Sequence, residues 1–199
     1  MKHVDFLQIG ACSSAIHIFN KNLEEKNIIL IEPNPYAFSD LVKNYTSRHK
    51  KTNYIFGNYA VSDKNGSVTF YIPSTNNDYT KLPSWVIGLG SINKDHIHKH
   101  IPSLIIDRIT VPCFTLNTII EQTGIESIDY LVIDTEGYDY NILMNIDFSI
   151  IKPHTIKFEN KHMSAVFTRG QKYLDVLDKL YKYGYKLIDE DDEDTVVSL

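Results

Sequence analysis

Four short runs rich in apolar residues, at 4–9, 28–31, 128–133 and 155–158, each stop abruptly, at Gly10, Glu32, Asp134 and Glu159. Strands of a parallel sheet read this way, because crossover helices cover both faces and leave few polar positions. After each run the spacing turns helical. From Ser14, Ile16, Phe19 and Leu23 fall on one helical face; after Pro33 and Pro35, so do Phe38, Leu41, Val42 and Tyr45. Helices are also expected over 116–122, ending at Gly124, over 138–145 and over 171–183, with further strands at 54–56, 185–188 and 195–199. The last should run antiparallel after the acidic stretch 189–194. The alternation predicts an α/β fold, mostly parallel, with right-handed crossovers and helices on both faces.

Two regions depart from the alternation. Val61 and residues 68–72 flank Asp63-Lys64-Asn65-Gly66, where Asn-Gly supplies the positive φ of a tight turn, so a hairpin is expected. Residues 73–110 are irregular, with Gly88 and Gly90 close together and His96, His98 and His100 in alternation, and read as an insertion covering a substrate pocket. No repeat or linker divides the 199 residues, which are expected to form one domain.

Composition excludes several functions. A net charge of −5 gives no broad basic surface to hold a phosphate backbone, so nucleic acid is not an expected partner. With 43% hydrophobic and 23% charged residues the chain is neither disordered nor fibrous. Cys12 and Cys113 lack metal-type spacing and read as reduced thiols, pointing to the cytoplasm. The amino terminus, broken by Asp5 and Gln8, reads as neither signal peptide nor membrane span. The oligomeric state stays open.

In open parallel sheets ligands bind beyond the carboxyl ends of the strands. After the first run, Gln8-Ile9-Gly10-Ala11-Cys12-Ser13-Ser14 is a small-residue turn that lets a ligand approach backbone N–H groups, but it lacks G-x-G-x-x-G, which counts against a nicotinamide cofactor. Glu32, about twenty residues on, is placed to accept the two hydroxyls of a ribose. Asn58 and Ala60 would then lie beside an adenine. Asp134 and Glu136 stand two apart after the central run, and Glu159, Asn160, Lys161 and His162 follow the next. Paired carboxylates at one edge repel unless a cation or proton is shared, which favours a chemical role.

These pieces together resemble the FkbM family of S-adenosylmethionine-dependent methyltransferases. The resemblance rests on FLQIGACSS, LIEPNP, NYAVSDKNGSVTFYI, FTLNTII, DYLVIDTEGYDYNIL and IKFEN, in that order over roughly residues 4 to 160. It implies the Rossmann-like class I methyltransferase fold with a seven-stranded sheet, and methylation of hydroxyl groups, often on sugars of glycans or glycoconjugates. By the resemblance Gln8, Gly10, Ala11, Cys12 and Ser13 would hold the methionine part of S-adenosylmethionine, Glu32 and Pro33 the ribose, and Asp134 the sulfonium side. Gln8 stands where the family usually has an acidic residue, Ser14 where it has a second glycine, and Asn117 where it more often has aspartate. A methyltransferase acting on a small non-sugar metabolite and a nucleotide-binding domain without turnover are the alternatives.

A methyl sulfonium is already activated, so such an enzyme must align an oxygen with the methyl and help remove its proton. Asp134, Glu136, Glu159 and His162 are the candidate catalytic groups. Asp134, Glu159 and Asn160 could instead hold magnesium or manganese, as hard oxygen ligands do in similar O-methyltransferases. The His96, His98 and His100 cluster reads as a solvated helix or loop starting at Asn93, because on a helix alternate histidines scatter, whereas on a strand they would form a metal comb. Tyr79, Trp85 and Phe167 could stack on a sugar face.

Overall fold

The computed structural model describes residues 2–18, 21–48 and 50–199. The predicted apolar runs form the middle of a seven-stranded sheet. Strands β1 (His3–Ile9), β2 (Asn27–Ile31), β3 (Asn53–Gly57), β7 (Ser127–Ile133) and β8 (Thr155–Glu159) are parallel, and β10 (Asp194–Ser198) and β9 (Lys186–Glu190) complete the order β3-β2-β1-β7-β8-β10-β9. β10 runs antiparallel to both its neighbours. The direction of winding reverses between β1 and β7, which makes the carboxyl ends of these two strands the place where a crevice opens.

Alternation along the strands separates the two faces. Leu7, Ile9, Ile29, Ile31, Leu131 and Ile133 pack with Leu116, Ile119 and Ile120 of α3 (Leu116–Thr123), Ile142 and Leu143 of α4 (Asp139–Asn145), and Val176 and Leu180 of α5 (Gly170–Lys182). The intervening Phe6, Ile28 and Leu30 pack on the other face with Leu41 and Tyr45 of α1 (Pro35–Arg48). Helices therefore cover both faces, and α3 ends at Gly124 in the left-handed conformation. No helix among the described residues is long and apolar enough to cross a membrane.

Three expectations fail. Residues 12–18 form turns, not a helix: Cys12 and Ala15 have φ of 49° and 42°, which a right-handed helix cannot contain, and Ile16 is 71% exposed. Phe19 lies outside the described residues. The expected hairpin is opened by a strand from elsewhere: β4 (Ala60–Val61) and β5 (Gly66–Pro73) flank β6 (Ile106–Phe114), so that Ala60 and Gly66 both pair with Cys113. Residues 73–110 are also more ordered than expected. Beside the start of β6 they contain two 3-10 turns, Tyr79–Lys81 and Ser84–Gly88, and α2 (Lys94–His100), whose Asn93 cap accepts from the Asp95 N–H. Val86, Leu89, Ile97 and Leu104 form a small core there against Tyr71, Leu82 and Ile106. Ser91 is bridged to Tyr71 of β5 by two backbone hydrogen bonds of 2.9 and 3.0 Å. The segment is thus a built layer leaning on the three-stranded sheet.

Candidate active site at the carboxyl edge of the sheet

The edge is closed by contact between two strand ends. Gly10 has a φ of +76°, and a Cβ there would lie 1.7 Å from the Asp134 carbonyl oxygen, so no other residue fits. The Asp134 N–H donates to the Ile9 carbonyl at 3.0 Å, and the Gly10 and Ala11 N–H groups both donate to the Ile31 carbonyl. β1, β2 and β7 are thereby pinned together where the chain turns. Over this point lies a cavity of about 830 Å³, within the ~300–1,000 Å³ usual for ligand pockets. Its wall includes Gly10, Cys12, Ser13, Glu32, Pro33, Ala60, Asp134 and Glu136, and its roof includes Trp85, Ile87, Gly88 and Leu89 from the 73–110 layer.

Glu32 sits directly after β2 and is nearly buried. Its Oε2 accepts the Cys12 N–H at 2.8 Å and its Oε1 the Asn34 N–H at 2.7 Å, leaving lone pairs on both oxygens. Burial pushes its carboxyl up to about 7, with the Asp134 charge adding to the effect and the two N–H groups opposing it. Asn58 donates to the Glu32 and Pro33 carbonyls at 2.8 and 3.3 Å, and so braces the loop without reaching the cavity. Gln8 and Ala11 are buried beneath the turn, away from the cavity wall; the Gln8 Oε1 has no hydrogen-bond partner.

The turn after β7 is strained and highly wired. Glu136 and Gly137 have φ of 53° and 92°, and a non-glycine residue there stores backbone strain. The Thr135 N–H and Oγ1 both donate to Asp139 Oδ2, while Asp139 Oδ1 accepts the Glu159 N–H, so one buried carboxyl ties the β7 turn to the end of β8. Asp134 Oδ2 lies 2.9 Å from His17 Nε2, and Glu136 Oε2 lies 2.8 Å from His96 Nε2. The Ser91 hydroxyl donates to the Glu136 carbonyl, joining the roof to the turn.

The groups after β8 do not reach the cavity as expected, except Lys161. Glu159 is buried, 3.4 Å from Lys161 Nζ and 3.6 Å from His162 Nε2. Burial, and then the charges of Asp134, Asp139 and Glu136, push its carboxyl strongly upward, which leaves it protonated and unsuited to be a base at neutral pH. Asn160 braces the backbone instead: its amide donates to the Asp191 carbonyl and Thr195 Oγ1, and its oxygen accepts from Arg169 Nε. An oxygen facing a guanidinium is not a cation ligand, so the Asp134, Glu159 and Asn160 set is not assembled. His162 is buried, and its Nδ1 accepts the Phe167 N–H at 2.9 Å.

The histidine expectation holds for the helix, which is capped by Asn93, but not for its exposure. His96 and His100 are four apart on α2 and share its inner face, with ring centroids 4.7 Å apart; His98 stands off that face, part-exposed. His96 is buried and His100 lines the cavity. Both rings meet His162, at 4.7 and 5.1 Å.

The methyltransferase FkbM domain matches residues 7–187. The chain belongs to the FkbM methyltransferase family. The crystal structure of methyltransferase FkbM from Methylobacillus flagellatus KT aligns with it at a TM-score of 0.58 and 13% identity, over 99% of this chain. At that identity the likeness is one of fold. This chain spans 44% of that protein. The Methanococcus jannaschii fibrillarin pre-rRNA processing protein gives a TM-score of 0.48 at 12% identity, over 100% of this chain and 66% of the other. M. capricolum TrmK, solved with its natural cofactor product S-adenosyl-homocysteine, gives 0.40 at 12% identity over 98% and 61%. Scores that low carry no inference here. No curated protein matches the chain.

Within this FkbM-family fold, sequence reasoning missed His17 and Asp139, and misjudged His96 and His100. His17 lies 117 positions from its Asp134 partner, in a stretch whose spacing imitates a helix, so no local signal marks it. Asp139 was visible only as the last acid of DTEGYD. The four-residue spacing of His96 and His100 behind an Asn cap was the available signal for the third case.

Proposed function

We propose that this chain is an S-adenosylmethionine-dependent O-methyltransferase that methylates a sugar hydroxyl of a glycan or glycoconjugate. The observation that carries the reading is one cavity bounded by Glu32 beyond β2 and by Asp134 beyond β7, on either side of a turn where Gly10 leaves no room for a side chain. The donor set fits the cofactor. Glu32 has free lone pairs for two ribose hydroxyls, the turn at Gly10, Cys12 and Ser13 lets the methionine part lie against backbone, and Pro33 and Ala60 offer apolar surface to an adenine. The bound cofactor supplies an electrophilic methyl group.

The remaining work falls to the chain. Asp134 lies at the cavity wall with one oxygen held by His17, which leaves Oδ1 to take the hydroxyl proton as the acceptor oxygen loses it. Trp85 and Phe167 line the cavity although 53% and 65% exposed, an arrangement suited to stacking on the apolar face of a sugar ring. The 73–110 layer is read as the lid of a single domain covering residues 1–199. Two free cysteines favour work in the reducing cytoplasm.

The test uses labelled S-adenosylmethionine with a panel of oligosaccharides and of small non-sugar alcohols. Label should pass to a saccharide, Asp134→Ala should lower kcat at least about 100-fold, and calorimetry should detect S-adenosylhomocysteine binding in both proteins. Transfer to non-sugar alcohols alone would replace the substrate class, and absence of S-adenosylhomocysteine binding would refute the reading altogether.

A further inference from the structure

The histidines gathered under the lid are not explained by methyl transfer. Three elements bring them together: α2 carries His96 and His100 on one face, the left-handed turn after β7 turns Glu136 toward them, and the chain leaving β8 adds His162. One donor atom from each of these four residues lies within 4.8 Å of all the others. His96 Nε2 and Glu136 Oε2 are 2.8 Å apart. His100 Nε2 and His162 Nε2 are both buried with no hydrogen-bond partner. Buried orphan nitrogens are rare in folded proteins, and two on neighbouring rings of one cluster point to a missing partner such as an ion or its bound water.

We propose that His96, His100 and Glu136 bind a zinc-class divalent transition-metal ion whose open coordination position faces the cavity. Two imidazoles and one carboxylate suit zinc and its first-row neighbours, whereas magnesium and calcium prefer all-oxygen sets. His100 and Glu136 line the cavity, so an ion between them is reachable by a ligand. On one tetrahedral ion, donors at ~2.0–2.1 Å stand about 3.3 Å apart, so His96 and Glu136 need separate by only a few tenths of an ångström.

His162 takes a different part. Because its Nδ1 accepts the Phe167 N–H, the neutral ring carries its proton on Nε2 and cannot give that nitrogen's lone pair to a metal. That N–H instead donates to an oxygen held on the ion, which gives the second orphan nitrogen its partner. Lys161 is the nearby competing cation; Glu193, at 3.2 Å, offsets its charge.

Metal binding is read without substrate or cofactor, so its outcome is independent of methyl transfer. Chelator-stripped protein is titrated with zinc by calorimetry and with cobalt(II) by visible absorption. One ion per chain is expected, with the strong cobalt bands of a four- or five-coordinate site. His96→Ala and His100→Ala should each weaken zinc more than about 100-fold, and His162→Gln, which removes a supporting hydrogen bond, about 10–100-fold. His98→Ala, on the same helix, and His3→Ala, from the separate His3, Asp5 and Asp129 group at the amino end of β1, should leave the affinity unchanged. Circular dichroism of the metal-free variants selects those that fold, and His100→Gln stands in for His100→Ala where needed. No stoichiometric binding, equal affinity in the His96 and His100 variants, or binding that falls only with His3→Ala would each overturn the assignment.

Discussion

Replacing Gly10 by alanine tests whether the ends of β1 and β7 touch as closely as the site requires. Two costs add. At φ +76° alanine pays the left-handed penalty of ~1–2 kcal/mol. Its Cβ would also lie 1.7 Å from the Asp134 carbonyl oxygen and 2.8 Å from the carbonyl carbon. Neither is a flexible side-chain tip, so strand ends must separate, at an overpacking cost of ~1–3 kcal/mol. The sum is ~2–5 kcal/mol, and at ~2–4 °C per kcal/mol for a chain of this size the melting midpoint should fall by roughly 5–20 °C. Gly124→Ala is the control, since Gly124 has a φ of +66° with nothing within 4 Å of the added Cβ and carries the first cost alone. Calorimetric melting and urea unfolding of both variants isolate the contact. S-adenosylhomocysteine titration should show that only Gly10→Ala loses affinity. Losses equal within about 0.5 kcal/mol would refute the reasoning, because the difference between the variants is the clash itself.

Two further outcomes follow from the same edge. Burial raises the Glu32 carboxyl to about 7 in the folded protein, above its ordinary value near 4.5, so the folded state binds that proton more tightly; the stability it contributes is present below about pH 4.5 and lost as pH rises toward 7. Urea unfolding should therefore show wild type losing stability relative to Glu32→Gln across that window, by up to ~1.4 kcal/mol per pH unit, and a pH-independent difference would contradict the burial argument. A Cβ on Gly88 would lie 2.8 Å from Cys12 Sγ, so Gly88→Ala should push the 73–110 layer off the small-residue turn and weaken S-adenosylhomocysteine about tenfold. Because that sulfur can move, melting should shift far less than in Gly10→Ala; unchanged affinity would mean that the 73–110 layer does not bear on the cofactor end.

What the sequence made legible is what short-range chemistry controls. A buried strand must be apolar and must stop where its ladder stops, so Gly10, Glu32 and Asp134 announced themselves as strand-end residues. The stretch 12–18 misled because helical spacing records which side chains are apolar, not whether the backbone is right-handed, and Cys12 and Ala15 are left-handed. β6 was hidden by Asp107, Arg108 and Pro112, which break the apolar pattern yet lie on a sheet pairing every residue from Gly66 to Pro73. The Asn-Gly turn argued for a hairpin on local grounds, and lost to a strand arriving from fifty residues downstream. The histidines were legible in principle, since positions four apart on a helix share a face while the one between them does not.

The charges at the sheet edge divide the cavity chemically. Asp134 is matched to His17 and Glu136 to His96, while Glu159 keeps its proton beside Lys161 and His162. Glu32 has no cationic partner among the described residues and is held by two backbone N–H groups alone. Carboxyls gathered at one edge repel, and setting an imidazole beside two of them while a third holds its proton limits that repulsion. An unmatched carboxyl near neutrality is different: it accepts hydrogen bonds from uncharged hydroxyls without having to displace a counter-ion, and gains solvation from them that the bare cavity denies it. The asymmetry therefore suits a ligand that lays a hydroxyl-bearing, uncharged portion over β2 and brings its positive or proton-releasing groups to β7, which is the polarity of S-adenosylmethionine facing an alcohol.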